Sequence, residues 1–190
     1  KGIGNTSPNP MVGCVIVKNN SVVGLGYHKR YGEDHAEIMA LRQAGGKAKG
    51  ATMYVTLEPC SHWGKTPPCT ESIIKSGIKE VVIAMKDPNM LVRGCEELKA
   101  NGIRIKTGIL GNEAGKLNEA YAKYIRTKMP FVIIKSACTI DGRIATLTGD
   151  SKYITGNKAR RYAHKLRAHV DAVMVGVNTV IKDDPLLNPR

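Results

Sequence analysis

Two short stretches hold most of the residues that could do chemistry: "HAE" at 35–37 and "LEPCSHWGKTPPC" at 57–69. A catalytic zinc site takes about three protein ligands and leaves one position for water. His35, Cys60 and Cys69 make a His-Cys-Cys donor set of the right chemical kind. Glu37 follows the histidine by two residues. Two residues along a helix turn about 200°, so Glu37 does not share an ion with His35 from the same mid-helix face. With both in the first turn at a pocket lip, it reaches a water beside the ion instead, which is the place of a general acid–base. The "PPC" run puts Cys69 in the first turn of a helix, where the dipole favours a thiolate. Taken alone, a cysteine is more often a small buried hydrophobe and a histidine a satisfied polar group. The joint pattern is what carries the metal reading.

The elements that must position these residues are legible in the apolar pattern. "MVGCVIVK" (11–18) and "SVVGLGYH" (21–28) read as strands at hairpin distance. "HAEIMALRQAG" (35–45) reads as a helix ending on Gly45–Gly46. "ATMYVTL" (51–57), "EVVIAM" (80–85) and "IRIKTGI" (103–109) read as strands, with helices at 67–77 and 94–102 between them. This β-β-α-β-α-β-α-β order implies a central sheet covered by helices. Residues 112–128 read as one long amphipathic helix with a basic end, closing a first domain at 1–128. From 129 to 190 the chain reads as the start of a second domain. It opens with a strand at 131–138 and passes through a turn-rich segment into a basic helix, then ends in a buried strand, a helix start and a loop.

Composition bounds the function classes. Hydrophobic residues are 42% of 190, enough for a globular core. No run approaches the ~20 apolar residues of a membrane span, and no leader-like segment opens the chain. Five scattered cysteines, an odd number, read as reduced and hence cytoplasmic. A formal charge of +13 suits anionic partners, either nucleic acid or phosphorylated small molecules. Aromatics are only 5%, and the basic residues are spread rather than blocked, which points away from nucleic acid.

The pattern H-x-E followed by P-C and a second cysteine is the zinc deaminase signature, with eight residues rather than two between the cysteines. Around it, "NPMVGCVIV", "GYHKRYGEDHAE", "GATMYVTLEPCSHWGKTPPC" and "MKDPN" resemble the deaminase domain of the bifunctional riboflavin-biosynthesis deaminase/reductase family. "KSACTIDGRIAT", "GDSKYIT" and "VGVNTVIKDDP" resemble the start of its reductase domain. The resemblance implies a cytidine-deaminase-like three-layer α/β/α domain followed by the start of a dihydrofolate-reductase-like α/β domain. It implies zinc-dependent deamination of 2,5-diamino-6-ribosylamino-4(3H)-pyrimidinone 5′-phosphate, then NADPH-dependent reduction of ribosyl to ribityl. It also implies a homo-oligomer.

Carried over, the zinc ligands are His35, Cys60 and Cys69, and Glu37 is the proton shuttle. Asn9, Asp87 and Asn89 would pair with the polar ring edge, and His28 and Lys65 with the phosphate. Cys138, Tyr153, Thr155, Thr179 and Asp183 would lie near NADPH, and Ser151, Leu187 and Arg190 near the ribosyl phosphate. Two other readings compete: a nucleobase or tRNA deaminase of the same fold, and a structural zinc module binding nucleic acid, with His62 as its fourth ligand.

Overall fold

The computed structural model describes residues 1–189, and the chain divides into two compact units, Lys1–Phe131 and Val132–Arg190. In the first unit, β1 (Gly13–Lys18) and β2 (Ser21–Tyr27) form an antiparallel hairpin. Its turn is Asn19–Asn20, with φ of 49° and 58°. Asparagine tolerates that left-handed pair, and the twist suits a two-residue hairpin. β3 (Thr52–Leu57) pairs antiparallel with β1, while β4 (Glu80–Met85) and β5 (Arg104–Thr107) add parallel. The sheet order is β2-β1-β3-β4-β5. Parallel neighbours need crossovers, and α2 (Cys69–Lys75) and α3 (Gly94–Ala100) provide them.

The core packs α1 (Ala36–Ala44), α2 and α3 on one face of the sheet, around Cys14, Ile16, Met53, Val55, Val81 and Ile83. Val82, out of phase with Val81 and Ile83 and so on the other face, is also buried, and α4 (Gly111–Leu117) packs on β3 and β4. The sheet is therefore covered on both sides. Close approach of α1 to β2 depends on glycine. A Cβ on Gly24 would lie 2.2 Å from the Ala40 carbonyl oxygen, and one on Gly26 would lie 2.0 Å from that of Ala36. The facing helix residues, Ala36, Ala40 and Ala44, are small for the same reason.

The expected long helix at 112–128 is two helices, α4 and α5 (Glu119–Thr127), broken at Asn118. The Asn118 side chain accepts from the Met11 backbone N–H at 2.8 Å and donates to the Met11 carbonyl at 2.9 Å. This paired bond, made 107 residues away in sequence, satisfies the backbone just ahead of β1. Periodicity shows the apolar faces of both helices but not a long-range bond that interrupts them. Asn118→Ala leaves both Met11 groups without their partner. The expected cost is about 2 kcal/mol, read as a lower urea midpoint at unchanged slope.

In the second unit, α6 (Asn157–Arg167) fills the expected basic helix, and α7 (Val177–Asp183) follows. The strands expected at 131–138 and from Asp171 do not form among the described residues. A strand exists only through ladder bonds to a neighbour. These apolar stretches have no such neighbour, and Ile134 and Met174 are 90% and 92% exposed.

Candidate metal centre and adjoining cavity

His35 stands at the N-cap of α1, in extended conformation with φ −71° and ψ 161°. Its ring is thus swung out of the helix, and Glu37 sits in the first turn. Cys60 follows β3 on the "LEPC" turn, and Cys69 opens α2. The three bring their donor atoms together within 4.8 Å of one another. His35 Nδ1 is 3.5 Å from Cys60 Sγ and 3.3 Å from Cys69 Sγ. A tetrahedral zinc with ordinary bond lengths separates such nitrogen and sulfur donors by roughly 3.6 Å. The triangle therefore fits zinc both in size and in donor chemistry.

The electrostatics favour a cation. The Cys69 backbone N–H donates to Cys60 Sγ at 3.3 Å, so the start of α2 serves Cys60. Between the two thiols alone, a hydrogen bond from Cys69 pulls Cys60 down, and Cys69 is pushed up. His35 is raised, chiefly by its hydrogen bond to Cys60. Glu37 is 3% exposed, and its Oε2 has no hydrogen-bond partner. Burial, then the nearby Cys60 charge, pushes its carboxyl up to about 7. A buried carboxylate oxygen without a partner is costly unless a ligand or water serves it.

Beside the triangle lies a cavity of about 520 Å³, lined by His35, Glu37 and Cys60 together with Asn9, His28, Lys65, Asp87 and Asn89. The structure thus gathers every candidate of the first unit around one space, with Cys69 just behind its wall. Their surroundings differ. His28 is buried, and both ring nitrogens face protein. Nδ1 lies 3.1 Å from the Asp34 carbonyl and so donates; Nε2 lies 3.2 Å from Asn9 Nδ2 and so accepts. With both nitrogens bonded to protein, His28 is placed to orient Asn9 at the cavity. Lys65 is exposed, its Nζ 4.1 Å from the Tyr31 ring centroid. Asp87 accepts from the Asn89 N–H at 2.8 Å, and burial raises its carboxyl. His62 lines the cavity but is exposed and stands outside the donor cluster.

Two residues of this site escaped sequence reasoning. Glu58 is buried and accepts from the Cys95 N–H at 2.8 Å and the Asp87 N–H at 3.3 Å, tying the ligand turn to the 86–95 segment. Gly94 lets the two approach, since a Cβ there would lie 2.0 Å from the Pro59 carbonyl oxygen. Tyr121, on α5, lines the cavity and donates its hydroxyl to Asp87. The signals available were an acid ending a buried strand and the i, i+4 pair Tyr121–Ile125.

In the second unit, Cys138, Ser151 and Tyr153 are exposed, and Arg160 stacks 3.9 Å from the Tyr153 ring centroid while donating to the Thr155 carbonyl. Thr179 and Asp183 lie four apart on α7, on one face. Leu187 is half-buried, and Arg190 lies outside the described residues. No hydrogen bond among the described residues links 138–155 to α7.

Residues 2–85 match the cytidine and deoxycytidylate deaminase zinc-binding region, and residues 130–190 match the RibD C-terminal domain. The riboflavin biosynthesis protein RibD of Aquifex aeolicus is 57% identical over 189 residues, covering 98% of this chain and 53% of that protein. Acinetobacter baumannii RibD (form 1) superposes with a TM-score of 0.95 at 50% identity, over 100% of this chain and 54% of its own. A Thermotoga maritima diaminohydroxyphosphoribosylaminopyrimidine deaminase/5-amino-6-(5-phosphoribosylamino)uracil reductase gives 0.93 at 48% identity, over 97% and 54%. The chain thus spans about half the length of the relatives it matches.

Proposed function

We infer, for a chain that belongs to the RibD family along its whole length, that residues 1–128 form a zinc-dependent pyrimidine deaminase domain and residues 129–190 the N-terminal part of an NADPH-dependent reductase domain. The substrate of the first is 2,5-diamino-6-ribosylamino-4(3H)-pyrimidinone 5′-phosphate, on the route to riboflavin. The observation that carries this reading is the unpartnered Glu37 Oε2, buried beside the His35–Cys60–Cys69 triangle at the wall of a cavity lined by amide and carboxylate groups.

His35, Cys60 and Cys69 would hold the ion. Zinc, when bound, polarises a water molecule and lowers its pKa toward 7. Glu37 is the group placed to take one proton from the attacking water and pass it to the ring nitrogen beside the amino-bearing carbon, then to move the second water proton from the new hydroxyl to the departing amine. A C–O bond forms, the C–N bond breaks, and ammonia leaves. A carboxyl whose pKa burial raises suits a group that must both accept and return a proton. Asn9, steered by His28, and the Asp87–Asn89 turn present acceptors and donors to the ring edge. Lys65, exposed at the cavity, is proposed for the phosphate.

In the second domain, Cys138, Tyr153, Thr155, Thr179 and Asp183 are proposed for NADPH, and Ser151, Leu187 and Arg190 for the ribosyl phosphate. A homo-oligomer and a cytoplasmic location belong to the same reading, which five free thiols favour. Among the described residues, no helix is long and apolar enough to cross a membrane.

The test is ammonia release by the zinc-loaded chain, offered the diaminopyrimidine phosphate, cytidine, deoxycytidylate and an RNA carrying adenosine or cytidine. Turnover of the diaminopyrimidine phosphate alone is expected. Turnover of the RNA or the cytosine compounds in its place would overturn the substrate assignment. A structural zinc module would release no ammonia and would bind RNA with a steep salt dependence.

A further inference from the structure

α5 reaches both polar edges of the cavity. At its start, Asn118 grips the Met11 backbone, two residues from Asn9. One turn on, the Tyr121 hydroxyl lies 3.0 Å and 3.2 Å from the two carboxylate oxygens of Asp87. Asp87 Oδ1 also accepts from the Asn89 N–H, and Glu58 holds the Asp87 N–H from below. The carboxylate is thereby fixed in rotation. Its backbone is anchored by Glu58, and one oxygen is shared between the turn and the tyrosine. Asp87 and Tyr121 both line the cavity, and a carboxylate has acceptor capacity beyond these bonds for a ligand there. A carboxylate free to rotate would lose that preorganisation, and the loss falls on binding.

We propose that Tyr121 is a positioning residue that orients Asp87 toward an N–H donor on the pyrimidine, making α5 a specificity wall of the site. This rests on the reading of Asp87 as a ring contact. Tyr121 is far from the proton-transfer group in role: it acts on how the ring is held, not on how the amine leaves. Its removal should therefore separate binding from turnover.

The experiment measures kcat and KM for ammonia release with the parent chain, Tyr121→Phe, Asp87→Asn and the double variant. Phenylalanine keeps the ring and removes only the hydroxyl. Tyr121→Phe is expected to raise KM roughly tenfold, the scale of a hydrogen bond to a charged group, with kcat little changed. In the Asp87→Asn background it should add almost nothing, because coupled residues are non-additive. If Asp87→Asn raises KM while Tyr121→Phe does not, the role of Tyr121 is refuted and the substrate contact stands. If the two effects add in full, Tyr121 acts independently of Asp87 and the proposal is wrong. If Asp87→Asn leaves KM unchanged, the underlying contact fails and the proposal falls with it.

Discussion

Glu37→Gln is expected to keep its zinc and to lose deamination by on the order of 10²–10⁴-fold, the usual contribution of a positioned acid–base group. Glutamine matches glutamate in shape, so the packing of a residue only 3% exposed is retained. Its amide neither takes up nor returns a proton at neutral pH. The ligand atoms of His35, Cys60 and Cys69 do not involve Glu37, so metal content should stay near one ion per chain. Burial with Oε2 unpartnered says that the carboxylate is present for a group outside the protein's own hydrogen bonds. Zinc content by elemental analysis and ammonia release on the same sample separate the possibilities. Loss of zinc together with activity would make Glu37 a part of the metal scaffold. Full activity would remove it from the chemistry.

Gly26→Val should disable the site from the opposite direction, through the fold. The added Cβ would lie 2.0 Å from the Ala36 carbonyl oxygen and 2.8 Å from the Ala40 nitrogen, both backbone atoms of α1. Neither has a flexible end that could move aside, so α1 must lift from β2. Ala36 is the residue between His35 and Glu37, so this shift displaces the proposed ligand and the proposed proton shuttle together. Overpacking of this kind costs about 3 kcal/mol, and zinc affinity should fall with stability. Gly13→Ala is the control, since its Cβ would meet only Thr56 Cγ2, at 3.9 Å. Chemical denaturation and a zinc-chelator competition read the two effects. If Gly26→Val melts like the parent chain, the close helix–strand approach is not what positions the centre.

Much of this arrangement was legible in the sequence because it rests on local chemistry. The strands and helices of the first unit follow from apolar period and from Gly and Pro punctuation. The ligand set follows from residue types that few other purposes would bring together. What escaped was non-local. Asn118 breaks a helix that its own neighbours favour, because its side chain bonds a backbone 107 residues away. Glu58 reads as one more acid until Cys95 and Asp87 are seen to donate to it. The bonds of His28 to Asp34 and Asn9 likewise join segments that local reading does not connect. The strands expected at 131–138 and from Asp171 show the same limit: an apolar run reports a preference for burial, but a strand also needs a neighbour in register.

The spacer in "LEPCSHWGKTPPC" is where these levels meet. Cys60 and Cys69 need only be close in space, and the Cys69 N–H and the Cys60 carbonyl, which accepts from the Thr70 N–H, close the eight-residue loop. That leaves His62 and Lys65 at the cavity and outside the His35–Cys60–Cys69 donor cluster. The central claim is a metal centre with three protein donors and one position left for chemistry. Zinc-edge X-ray absorption on the loaded chain tests it most directly. The prediction is two sulfur ligands and a single imidazole, with a light-atom ligand completing the shell that changes when a pyrimidine product is added. A second imidazole from His62, or a third sulfur, in a shell that ignores added pyrimidine would contradict it.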